Sequence, residues 1–183
     1  MQIIDDIVDI QTQENIKNTL LDNNFSWNYV DDVSIKNNEH QRRPGFSHYF
    51  VKNNSIISEH YDLIKTIILN AVGETNLINA RSFLQLPLNA KFIGKGIDTP
   101  HLDLTVPHTV ILYYVNDSDG DTVLYDYISK DENDIPYFED IKIKKTITPK
   151  QGRVVIFNGL TWHTARQPKE NVRCIINCNI VGS

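Results

Sequence analysis

From residue 77 onward the hydrophobic period of this chain settles at two, and that limits what it can fold into more than any other feature. Before it, two segments carry apolar residues at steps of three and four. Ile57, Tyr61, Ile64, Ile68 and Ala71 form one stripe of a helix expected over residues 56–72 and closed by Gly73. Thr12 is placed to cap an earlier helix that carries Ile16, Leu20 and Leu21 and stops at Asp22-Asn23-Asn24. Short strands are expected at Phe25–Tyr29 and Phe46–Val51. After Leu77 the period is two. Strands are then expected near 79–88, 90–94, 100–104, 109–115, 121–128, 141–147, 153–157, 161–166 and 172–180, with Asn116 to Gly120, Gly152 and Asn158-Gly159 as turns. Helices followed by many short strands give an α+β, mainly β class: a double-sheet jelly roll with N-terminal helices packed on one sheet. A chain of 183 residues with no repeat or linker is expected to form one domain, 1–183, in which about 1–76 supports a core over about 77–181.

Strand parity then decides which side chains can meet. In Pro100-His101-Leu102-Asp103-Leu104, residues 101 and 103 share a face. One imidazole and one carboxylate leave a divalent metal short of ligands. A second imidazole from another strand completes a two-His, one-carboxylate set that leaves coordination positions open on iron. His163 is the candidate. In the last strand, Val172, Cys174, Ile176, Cys178 and Ile180 form an apolar face suited to lie under the helices. The opposite face carries Arg173, Ile175, Asn177 and Asn179 into the barrel. A guanidinium there needs a carboxylate, from the protein or from a bound dicarboxylate, and arginine grips a carboxylate at two points. Tyr114 can assist if its face of the strand points inward; parity leaves Tyr113 as the other option.

Composition excludes some partners. The net charge of -5 and the absence of a basic stripe beyond Lys142 to Lys145 do not favour nucleic acid. No apolar stretch is long enough to span a bilayer, and acid stands where a secretory leader would carry base. Cys174 and Cys178, four apart on one strand, would sit about 13 Å apart at about 3.3 Å per residue, too far to bond. A reduced, cytoplasmic protein is expected. His40, His48, His60 and His108 have no partner spacing. Arg42 and Arg43 read as solvated loop charges, or as residues lining a substrate entrance. Trp162 is expected to wall the pocket.

The sequence from about 77 to 181 resembles the Fe(II)/2-oxoglutarate-dependent dioxygenases, nearest to their prolyl-hydroxylase-like branch. The matching pieces are His101-x-Asp103, Ile111 to Asn116, Gly120 to Tyr125, Pro149 to Phe157, His163, and Arg173 ten residues later. The resemblance implies a double-stranded β-helix in which His101, Asp103 and His163 hold Fe(II). It implies that Arg173, helped by Tyr114, holds the distal carboxylate of 2-oxoglutarate. With O2 as the other co-substrate, such an enzyme would hydroxylate a C–H bond of a peptidyl residue, such as proline, or of a free amino acid, releasing succinate and CO2. Gly120-Asp121 departs from the Gly-Gly pair common in this branch, and residues 127–146 form a longer, acidic connection. Two other functions remain open: a cupin-like metal-binding jelly roll that does not use 2-oxoglutarate, and a nucleic-acid base demethylase of the same superfamily. Substrate and oligomeric state are left open.

Overall fold

The structure is a computed structural model and describes residues 1–33, 43–88, 96–131, 133–137 and 139–181. The strand expected at 90–94, Arg42 and Glu132 lie outside the described residues. Two sheets face each other. The larger is assembled from β1 (Gln2–Ile4), β2 (Asn28–Val30), β3 (Gly45–Lys52), β4 (Ser55–Ile56), β5 (Leu77–Gln85), β6 (Thr109–Tyr114), β9 (Val154–Asn158) and β11 (Arg173–Ile180). Its order is β1-β9-β6-β11-β5-β3-β2, with β4 paired to β3. The smaller sheet has the order β10 (Thr161–Ala165), β7 (Thr122–Ile128), β8 (Ile143–Ile147). Every ladder is antiparallel. This is the expected mainly β jelly roll.

Two helices, α1 (Ile10–Leu20) and α2 (Tyr61–Val72), cover the outer face of the large sheet. On α1 the buried residues are Gln13, Ile16 and Leu20; on α2 they are Ile64, Ile67 and Ile68. Spacings of three and four put each set on one side of its helix. The apolar ones form one core with Cys174, Ile176, Cys178 and Ile180 of β11 and with Ile111 and Tyr113 of β6. Burying such side chains contributes about 1.5–3 kcal/mol each. Both cysteines are free and buried there. A second core, between the sheets, holds Leu112, Tyr114, Leu124, Ile147, Phe157 and Ile175.

The strand expected at Phe25–Tyr29 runs instead over Asn28–Val30, and three other expectations move. The first helix is capped by Asp9, whose carboxylate accepts from the backbone N–H and the hydroxyl of Thr12; Thr12 is thus inside the helix. The second helix begins at Tyr61, because Ser55–Ile56 turns back onto β3 through Asn53 and Asn54, at φ of 50° and 64°. Two left-handed residues in a row make the tight hairpin that asparagine tolerates. Ile57 is exposed as a result. Around 100–104 no strand forms; only the isolated bridges Ile97–Arg166 and His101–His163 attach this segment to β10.

Candidate active site

The His101–His163 bridge is what closes the site. The two residues exchange backbone hydrogen bonds, His101 N to His163 O at 2.9 Å and the reverse at 3.1 Å. Residues paired in this way project their side chains to the same face, and the imidazole centroids lie 4.7 Å apart. A register shift between Thr161 and His163 bends β10 at this point, the usual way a strand re-aims a side chain. Asp103, two residues beyond His101, reaches both rings: 4.0 Å to His101 Nε2 and 3.8 Å to His163 Nε2. One ligand atom from each of the three lies within 4.8 Å of the others.

Each imidazole is fixed in a usable form. His101 Nδ1 lies 3.1 Å from Thr99 O and His163 Nδ1 lies 3.0 Å from Thr161 O. A carbonyl only accepts, so Nδ1 carries a proton and Nε2 is the ring nitrogen turned to the cavity. Burial, then the neighbouring His101 ring, pushes His163 down to about 4, which keeps it neutral near pH 7. Burial works to raise Asp103, but His163, His101, Arg81 and the Asn177 amide outweigh it and hold the carboxyl below its ordinary value. Asn177 Nδ2 donates to Asp103 Oδ2 at 2.9 Å. Two imidazoles and a carboxylate are the donor set that suits ferrous iron.

A cavity of about 610 Å³ runs from this cluster to Arg173, within the range of ligand-binding sites. Arg173 is 4% exposed. Its Nε donates to Gly120 O, Nη1 to Gln85 Oε1 and Nη2 to Thr122 Oγ1, at 2.8–2.9 Å. All three acceptors are neutral, and among the described residues no carboxylate lies within salt-bridge distance. Gly120 makes room for it: a Cβ there would stand 2.8 Å from Arg173 Cδ. Tyr114 faces inward and Tyr113 lies under the helices, which settles the parity question. The Tyr114 hydroxyl donates to Thr122 Oγ1 at 2.8 Å, one hydroxyl away from the guanidinium. Leu112, Phe157 and Ile175 supply apolar wall between the two ends.

Trp162 does not wall the pocket. It packs with Val123 and Tyr125, and its indole N–H donates to Ser129 Oγ. Arg43 is not a solvated loop charge but 2% exposed, paired with Asp98. Sequence reasoning also passed over Arg81, which lines the cavity with Tyr49 and Phe83. Its guanidinium sits 4.5 Å from the Phe83 ring centroid, donates to the Tyr49 hydroxyl and lies 3.7 Å from Asp103 Oδ1. Asn79, Arg81, Phe83 and Gln85 share one face of β5, so the signal was present in strand parity. Arg81 Nε and Asn177 Oδ1 are buried without a hydrogen-bond partner among the described residues, as polar atoms awaiting a ligand would be.

No family model and no curated protein matches the sequence. Solved structures do match in shape. An oxidoreductase of the 2OG-Fe(II) oxygenase family from Burkholderia pseudomallei superposes with a TM-score of 0.65 at 12% identity, over 95% of this chain and 81% of that one. A viral collagen prolyl hydroxylase from Paramecium Bursaria Chlorella virus-1, in complex with 2OG, gives 0.55 at 15%, over 98% and 96%. A Trichoplax adhaerens prolyl hydroxylase, in complex with a hypoxia-inducible-factor peptide fragment, gives 0.56 at 13%, over 98% and 82%. Over nearly its whole length, this chain has the fold of the 2-oxoglutarate- and iron-dependent oxygenases.

Proposed function

We propose that this protein is an Fe(II)- and 2-oxoglutarate-dependent dioxygenase that hydroxylates a C–H bond of a peptidyl residue, proline among the candidates, or of a free amino acid. The observation that carries the reading is the pairing, within one cavity, of a convergent His101–Asp103–His163 cluster with a buried arginine that holds no acid among the described residues. His101 and His163 would offer Nε2 to iron and Asp103 one carboxylate oxygen. Arg173 would clasp the distal carboxylate of 2-oxoglutarate, with Tyr114 acting through Thr122. Arg173 and Asn177 are four residues apart on one strand face, about 13 Å at about 3.3 Å per residue, a span that two side chains and a five-carbon diacid can fill. When bound, iron, 2-oxoglutarate and O2 supply the oxidising power, with succinate and CO2 as by-products. The chain's own part is to hold three ligands at fixed tautomer and angle, orient the acid, and keep water out with Leu112, Phe157 and Ile175. The peptide-bound and 2OG-bound neighbours support this choice of substrate class and co-substrate.

Anaerobic addition of Fe(II) and then 2-oxoglutarate should produce a metal-to-ligand charge-transfer band. If neither binding nor the band is seen, the reading fails. If metal binds but 2-oxoglutarate does not, and Arg173→Ala changes nothing, the protein is a cupin-like metal binder.

A further inference from the structure

We propose that Arg43 is a positioning residue: by holding Asp98, it keeps Arg173 free for the carboxylate of the co-substrate. The proposal rests on the functional reading above. Asp98 is 6% exposed and lines the same cavity as Arg173. One amide separates them: Gln85 Oε1 accepts from Arg173 at 2.8 Å, while Gln85 Nε2 donates to Asp98 Oδ2 at 3.3 Å. A buried guanidinium and a buried carboxylate this close would gain from pairing, since each alone is costly to keep out of water. Such a pair would fill the acid-binding end of the pocket with the protein's own acid.

Arg43 prevents this. Its Nη1 donates to Asp98 Oδ1, and its Nη2 donates to Ile97 O at 2.9 Å. The second bond anchors the guanidinium to the backbone beside Asp98, and the fork geometry of arginine makes the grip two-sided. Burial pushes Asp98 up, and the charge and hydrogen bond of Arg43 are the largest effects acting against it. Among the described residues, no carboxylate then lies within salt-bridge distance of Arg173, and its positive charge at the closed end is left for an incoming carboxylate. Arg43 stands just ahead of β3, in the part of the chain where the sequence offered no motif. The N-terminal region therefore contributes to the pocket's charge as well as covering the sheet.

The test is calorimetric titration of 2-oxoglutarate into the Mn(II)-loaded protein, with Mn(II) affinity measured separately. Arg43→Met should weaken 2-oxoglutarate binding by at least about tenfold and leave Mn(II) affinity unchanged. Adding Asp98→Asn to the same chain should restore binding to within about threefold, because the competing charge is gone; loss of a merely structural ion pair would not be repaired in this way. Should Arg43→Met fail to fold, Arg43→Gln, which can still donate to Ile97 O, is read in its place with the same outcomes. Wild-type affinity in the single variant, or a double variant as weak as the single, overturns the proposal. A wild-type protein that binds Mn(II) but not 2-oxoglutarate overturns the functional reading, and this proposal with it.

Discussion

The two ends of the pocket are built by different means. Arg173 stands on β11, the strand in the middle of the large sheet, which pairs with β5 on one side from Arg173 onward and with β6 on the other from Ile175 onward. Every nitrogen of its guanidinium is already bonded. The His101–Asp103–His163 cluster hangs on the small sheet: His163 beside a register shift, His101 and Asp103 on a segment joined to β10 by isolated bridges. There the sheet gives one bridge; each ring is held by its Nδ1 bond to a backbone carbonyl and Asp103 by the Asn177 amide. The Arg173 end is preformed by the sheet. The histidine end is preformed by local bonds. Losses at the two ends should therefore separate cleanly.

The sharpest way to break that contrast is Asp103→Ala. It should lower Mn(II) affinity by at least about 100-fold, because Asp103 is the only anion of the cluster, while the thermal unfolding midpoint stays near that of the wild type. If metal affinity, followed by electron paramagnetic resonance, barely changes, the cluster is not the metal site. Arg173→Met should do the reverse. Mn(II) binding is kept and 2-oxoglutarate affinity falls by roughly 3 kcal/mol, about 100-fold, the worth of a buried charge-assisted pair. Calorimetry showing equal loss of both ligands would mean that the two ends act as one unit.

Tyr114→Phe probes the edge of the acid end. Removing a hydroxyl that acts only through Thr122 should cost about 1 kcal/mol of 2-oxoglutarate affinity, read in the same titration, with the fold intact. The smallest effect concerns pH and lies away from both ends. Asp5 binds Arg153 at 2.6 Å and Lys150 at 3.0 Å, tying β1 to the start of β9, and these partners hold its carboxyl well below the usual range. The folded protein thus binds the proton less readily than the unfolded chain does. Stability from Asp5 is full above the ordinary aspartate value near 3.8 and is lost as pH falls below it. The pair is exposed to solvent, so Asp5→Asn should cost roughly 0.5 kcal/mol. Denaturant unfolding should show that difference at pH 7 and show it vanishing in strong acid.

Much of the architecture could be read from local pattern. The stripe on α2, the period-two strands after Leu77 and the apolar face of β11 all follow from side-chain spacing, which needs no knowledge of neighbours. Where local signals competed, the reading slipped. Thr12 has the chemistry of a cap, but Asp9 three residues earlier has it too and accepts both of Thr12's donors. Ile56 and Ile57 extend a helical stripe in sequence, yet Asn53-Asn54 reverses the chain and makes Ser55–Ile56 a strand. That Asn-Asn pair was the legible signal. Arg43 gave none, since a loop arginine is ordinarily solvated and nothing near it in sequence announces Asp98.

Parity along single strands, fixed by the alternation of the extended backbone, determined from sequence alone that Arg173 shares a face with Asn177; it also paired His101 with Asp103, but no strand forms there and the pair meets through the His101–His163 bridge. Parity put Tyr113 and Tyr114 on opposite sides. Only the tertiary structure decided which histidine meets that pair, which tyrosine faces inward, and which acid Arg43 removes from the reach of Arg173. The Arg43–Asp98 choice alone joins residues 55 apart in the chain. Such choices depend on how strands register across two sheets, and residue spacing along a chain holds no record of that.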